Sequence, residues 1–322
     1  MMLRMCVAVL VVGSGLGWSA AVAQAPALPV WAYPVASGGG PAAPPQDQVM
    51  HVPGSAAVYT RGQIADLMEV PDWFPDSHPV MPQAVAHGRK PDVFACAYCH
   101  LPNGAGRPEN QSVAGLPAAY MMEQIEDFKW GARHSSESRM GSVRAMIGVA
   151  KGATPEEIKE GVDYFASLKP QRWIRVVEQD TVPKTRIAGG MLVLSEAGGT
   201  EAIGDRVIEV PENLEQTELR NSRSGFVAYV PVGSLKEGEV LVRTGGNGKT
   251  MACTMCHGQD LRGVGNVPSI AGRSPSQMAR QIIDIQDGAR NGAGAMMMKG
   301  PVAQLSGHDI VVITGYLASL AP

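Results

Sequence analysis

Two pentapeptides constrain this chain more than any other feature: CAYCH at 96–100 and CTMCH at 253–257. Each sets two thiols three positions apart, with an imidazole directly after the second, the pattern by which a c-type haem is attached. On one helical turn the two Cys share a face. There they can form thioethers with the two vinyl groups of a single porphyrin, and the following His can bind the iron. A lone CxxC could equally be a redox dithiol or half a zinc site. Two copies of CxxCH, with the only other Cys at position 6, narrow the reading to two covalent haem c groups held by Cys96, Cys99, Cys253 and Cys256, with His100 and His257 on the irons.

The remaining Cys lies where it does not matter. Arg4, the apolar stretch 5–18 and Ala21-Val22-Ala23 read as a signal peptide at 1–23, cleaved before Gln24, which implies the periplasm. Of 27 Lys+Arg and 30 Asp+Glu, only Arg4 falls in that stretch, so 26 against 30 leaves a formal charge of −4. That balance offers no basic face for nucleic acid. No later run of about 20 apolar residues could span a membrane.

A length of 322 suggests two or three domains. Residues 24–58, rich in Ala, Pro and Gly, read as a flexible tether. Residues 59–170 hold the first pentapeptide with an N-terminal arm. In that arm Thr60 caps a short helix presenting Ile64, Leu67 and Met68, and a Pro-rich loop at 72–82 packs Trp73 and Phe74 onto the haem domain. An internal repeat follows. VAGLPAAYMMEQIEDFKWGAR at 113–133 parallels IAGRSPSQMARQIIDIQDGAR at 270–290, displaced by the same 157 positions that separate Cys96 from Cys253. YFASL at 164–168 then matches YLASL at 316–320, displaced by 152. The β-branched and aromatic runs at 173–177, 191–194, 207–210 and 226–230 make 171–232 a small β-rich insert or linker. Residues 233–322 form the second copy, opening on a helix at 234–242 that ends at Gly245-Gly246.

The sixth position on each iron calls for a soft neutral donor, and a Met there raises the potential. Counting back eight residues from the N-caps Thr154 and Ser306 selects Met146 and Met298. Met140, and Met296 or Met297, are the alternatives. His51, His78, His87, His134 and His308 read as surface residues, with bis-His ligation by one of them the competing arrangement at the first iron. Arg133 and Arg290 close equivalent helices in the tripeptide GAR, either as exposed helix-end cations or as partners for haem propionates. Each proximal His should donate its second N–H to a backbone carbonyl. Pro268 is suited to this in the second copy, whereas Gln111 stands in its place in the first.

CxxCH, the AG–Q–I–D–GAR helix, the Met and the YxASL helix together resemble the tandem two-domain class I cytochromes c of bacterial periplasms, over about 90–170 and 234–322. The resemblance implies a mainly α chain: two class I cytochrome c domains in tandem, with the β-rich insert between them. It implies His/Met ligation at both haems and an electron carrier rather than an enzyme. Its redox partners would be a quinol-oxidising complex or dehydrogenase as donor and a terminal oxidase as acceptor. A cytochrome subunit of a periplasmic dehydrogenase is the second reading, and a dihaem peroxidase or ligand sensor the third. The insert, the N-terminal arm and Leu101, where the second copy has Gly258, depart from the pattern and put close docking of the two copies in question.

Overall fold

The computed structural model describes residues 27–35 and 44–322; the signal segment 1–23 and the glycine run at 38–40 lie outside the described residues. Strands β1 (Val49–His51) and β2 (Val58–Thr60) pair antiparallel and lead into α1 (Arg61–Ala65). There the Thr60 hydroxyl accepts from the Gln63 N–H, and the Gln63 side chain returns to the Thr60 N–H. The helix stops at Ala65, so only Ile64 of its three expected apolar residues is buried. A short turn, α2 (Gln83–Ala86), precedes the first pentapeptide, which is itself helix α3 (Cys96–His100). Then come α4 (Ala118–Trp130), α5 (Gly141–Gly152) and α6 (Pro155–Ser167).

The segment after α6 carries β3 (Ile174–Glu178), β4 (Thr181–Pro183), β5 (Thr185–Ala188), β6 (Met191–Leu194), β7 (Thr200–Ala202), β8 (Ile208–Pro211), α7 (Leu214–Glu218) and β9 (Phe226–Val230). β9 is central, parallel to β3 and antiparallel to β8. Phe226, Ala228 and Val230 are buried on one face of β9, while Ile208 and Val210, paired with Tyr229 and Val227, are buried on the other, so the sheet is covered on both sides. The last helices are α8 (Ser234–Thr244), α9 (Thr254–His257), α10 (Pro275–Gln286), α11 (Ala293–Val302) and α12 (Gly307–Ser319). Thr154 and Ser306 both cap with a reciprocal side-chain bond from the residue three on. α8 and α12 cross closely because Gly238 has no side chain: a Cβ there would sit 2.1 Å from the Val312 carbonyl oxygen.

Three apolar clusters follow. One fills the first copy. The largest joins the second copy to the sheet and also contains Trp31, Ala32 and Tyr33. Residues 28–35 therefore do not behave as a tether with little to bury. Two aromatic rings are enough to dock them, Tyr33 donates to Asp284 Oδ1 at 2.8 Å, and Arg280 donates to the Ala32 carbonyl at 2.7 Å. The third cluster sets Met50, Val52, Ile64, Trp73 and Phe74 around Leu219. Trp73 and Phe74 thus pack against the β-rich segment rather than onto the first copy alone.

Candidate functional site

Each pentapeptide is followed by a loop that folds back beneath its His. In the first copy Gly106 N–H donates to the His100 carbonyl, and Val113 and Ala114 donate to Gly104 O. Shifted by 157 positions, Gly263 donates to His257 O, and Ile270 and Ala271 donate to Leu261 O. At two of the loop's left-handed positions the copies spend glycine differently. The first has Leu101 (φ 61) and Gly104 (φ 70), the second Gly258 (φ 83) and Leu261 (φ 62). A non-glycine residue there costs roughly 1–2 kcal/mol. Both leucines offset it by burying their side chains, at 4% and 0% exposure.

These loops deliver a backbone carbonyl to each imidazole. His100 Nδ1 lies 2.8 Å from Gln111 O and His257 Nδ1 lies 2.8 Å from Pro268 O. Gln111 serves as well as Pro268 because the acceptor is main chain, indifferent to the side chain at that position. With Nδ1 committed, Nε2 is the free nitrogen. Burial holds both imidazoles below the usual histidine range, so each stays neutral and keeps its lone pair. Burial also pushes the Cys96 thiol up to about 12 and Cys253 to about 11. A thiol held protonated is a poor nucleophile for disulfide exchange.

In the first copy these groups face a cleft holding about 1400 Å³ of space, its solvent mouth included. Cys96, Cys99, His100 and Met146 line it, with Leu116, Phe128, Val149 and Phe165 among its apolar walls. A Cβ added at Gly161 would touch Cys96 Sγ at 3.3 Å. Met140 is elsewhere: only 2% exposed, it belongs to the central cluster with Trp31 and Tyr33. In the second copy Met298 packs against that cluster, whereas Met296 and Met297 are 50% and 76% exposed. Both selected Met lie on helices, α5 and α11. Of the histidines in the described residues only His100 lines the cleft. His78 is no surface residue: its side chain is 3% exposed and held between Asp72 and the Pro79 carbonyl.

The two GAR tripeptides meet. Residues 133 and 290 face each other across an antiparallel bridge, His134 N–H donates to Ala289 O, and Asn291 N–H donates to Ala132 O, both at 2.8 Å. Position 134 repeats as 291 and 132 as 289, so the junction has the reciprocity of a two-fold interface. Arg133 donates to Gln124 and Gln111 and across to Gln281, and Arg290 reaches Tyr120 and Gln124 of the first copy. The copies dock closely despite the long segment between them. Burial, with Arg290 adding to it, lowers Arg133 to about 10. Neither guanidinium has an ion-pair partner within 4 Å among the described residues. Arg133, buried on the cleft wall, and the half-buried Arg290 beside it are bonded to amide and phenol oxygens and suit the carboxylates of a porphyrin. Together with two thiols, a neutral imidazole and a thioether, the residues present fit haem c.

Among the described residues no helix is long and apolar enough to cross a membrane. Residues 240–317 match the family described as cytochrome c oxidase, cbb3-type, subunit III. A cytochrome c4 of Stutzerimonas stutzeri is 33% identical over 236 residues, covering 71% of this chain and 85% of that protein. A thiosulfate dehydrogenase electron acceptor of Thiomonas intermedia (strain K12) is 24% identical over 234 residues, 71% of this chain and 80% of that one. The crystal structure of reduced cytochrome c4 from Pseudomonas stutzeri aligns with a TM-score of 0.45 at 23% identity, over 70% of this chain and 93% of that one. The chain belongs to the cytochrome c4 family: it is a dihaem c-type cytochrome, an electron carrier and not an enzyme.

Proposed function

We propose that the chain is a periplasmic carrier built as two cytochrome c domains in tandem, 59–170 and 233–322, joined through the β-rich segment 171–232. Cys96 and Cys99 bind one haem and Cys253 and Cys256 the other, with His100 and Met146, and His257 and Met298, on the irons. The observation that carries this is the shared geometry of the two imidazoles, each with Nδ1 on the carbonyl at the repeat-equivalent position. The position of Met146 on the wall of the cleft that holds His100 supports the first pair. The iron supplies one-electron chemistry, cycling between ferrous and ferric. The protein contributes the rest. The carbonyls of Gln111 and Pro268 orient the imidazoles and raise their basicity. The Met thioethers favour the ferrous state, and the apolar walls exclude water from it.

Donor and acceptor are redox proteins in this reading. The likeness to a named electron acceptor of thiosulfate dehydrogenase favours a periplasmic dehydrogenase as the donor, and a terminal oxidase is the acceptor in keeping with the family. Redox titration of the haem-loaded protein followed by absorbance tests the ligands. Met146→Ala and Met298→Ala should each lower the potential of one haem and leave the other within error. If either substitution leaves both potentials unchanged, that Met is not a ligand.

A further inference from the structure

The residue between the two Cys that sits just before the second one is Tyr98 in the first copy and Met255 in the second, 157 positions on. Tyr98 is 6% exposed and Met255 is 69% exposed. What covers Tyr98 is the β-rich segment. The guanidinium carbon of Arg220 lies 3.4 Å from the centre of the Tyr98 ring, and its Nη1 donates to the Tyr98 carbonyl at 2.7 Å. Arg220 takes a left-handed φ of 57 to reach this place, a strain the contacts around it must over-determine.

Its neighbours are fixed just as firmly. Asn103, beside the same pentapeptide, donates to Ser222 O at 2.6 Å, and Arg107 reaches Thr217 O. Trp73 Nε1 donates to Leu219 O at 2.7 Å, and Arg223 stacks 3.5 Å from the Phe74 ring. Residues 217–223 are thus a cap clamped over helix α3, with the N-terminal arm behind it. The equivalent face of the second copy is open: Met251, Met255 and Cys256 are exposed.

Resting on the two-haem reading above, we infer that the molecule is a one-port carrier. Protein partners exchange electrons at the attachment face of the second haem, and the first haem is filled and emptied only through the second. One electron leaves the donor and reduces the iron beside His257. It then passes to the iron beside His100, and the second iron is oxidised again. The partner suited to the port has an acidic rim. Residues 233–322 carry 8 Lys+Arg against 6 Asp+Glu, whereas 59–170 carry 11 against 14 and 171–232 carry 7 against 9. Arg262 and Lys299 are exposed near the open pentapeptide and the Met298 helix end. Opposite charge steers such encounters and makes their rate fall with salt.

Stopped-flow reduction of the full haem-loaded protein by reduced plant-type ferredoxin, a small acidic donor, tests this. Freeze-quench electron paramagnetic resonance tells the two ferric haems apart. The second haem should be reduced at a rate proportional to ferredoxin and suppressed by salt, the first at a rate independent of ferredoxin. Met255→Glu should slow the bimolecular phase at least fivefold with both haem spectra intact. Arg220→Ala should open a ferredoxin-dependent path to the first haem. A first-haem rate that scales with ferredoxin in the unaltered protein, or a bimolecular rate indifferent to Met255→Glu, overturns the inference. Fewer than two haems per chain overturns the two-haem reading instead.

Discussion

The crossing of α8 and α12 gives a test whose size can be worked from distances. A methyl group at Gly238 would lie 2.1 Å from Val312 O and 2.7 Å from Tyr316 Cβ, where ordinary contact begins at 3.4 Å. The helices would have to separate by about 1.3 Å, the gap between 3.4 and 2.1. Overpacking of this kind costs about 1–3 kcal/mol, and a shift of two whole helices belongs at the upper end. Ala gains about 1 kcal/mol over Gly in a helix interior, so Gly238→Ala should lose about 2 kcal/mol. Gly148, exposed within α5, is the control, since a Cβ there meets nothing within 4 Å. Gly148→Ala should gain up to about 1 kcal/mol on propensity alone. Urea unfolding of the haem-loaded protein, followed by tryptophan fluorescence, reads both as shifts in midpoint. Should Gly238→Ala prove as stable as the unaltered protein at unchanged slope, the helices are not in contact there and the crossing is wrong.

Two further outcomes follow from polar contacts. His308 is held by Asp205 at 2.8 Å and Glu237 at 3.1 Å, and these hydrogen bonds raise its pKa above the usual value of about 6.5. Its contribution is fully present below pH 6.5 and is lost as pH rises through the raised value. His308→Gln should therefore flatten that part of the stability profile, measured as urea midpoint against pH, and a profile unchanged by the substitution would show the pairing to be idle. Tyr33→Phe removes the donor to buried Asp284 and should cost about 1–3 kcal/mol. Residues 27–35 should then be cut by protease well before the rest of the chain; equal resistance in both proteins would mean the phenol does not hold the segment down.

Local chemistry was legible in the sequence, and long-range pairing was not. Thr60, Thr154 and Ser306 cap their helices as their spacing suggested, because a cap is decided within four residues. The repeat placed both proximal carbonyls correctly by position, although the identity of Gln111 was misleading. By contrast, Trp31 and Tyr33 sit in an Ala- and Pro-rich stretch whose average composition hides two aromatic anchors. Their partners, Arg280 and Asp284, lie some 250 positions away. The cap over Tyr98 was invisible for the same reason. Nothing local to Arg220 says that it will stack on a ring 122 positions earlier in the chain.

The reciprocal junction at residues 132–134 and 289–291 has a consequence for how strongly the halves need to attract each other. Two separate molecules would have to find this junction by diffusion, at whatever concentration they had. Here 157 residues of largely folded chain join equivalent points, so the meeting is intramolecular and needs less intrinsic affinity than two free molecules would. The junction can therefore be weak in intrinsic affinity and still closed almost all the time. It can also reopen without the halves being lost to one another, and each side can change its sequence alone, because a substitution at 133 is no longer copied at 290.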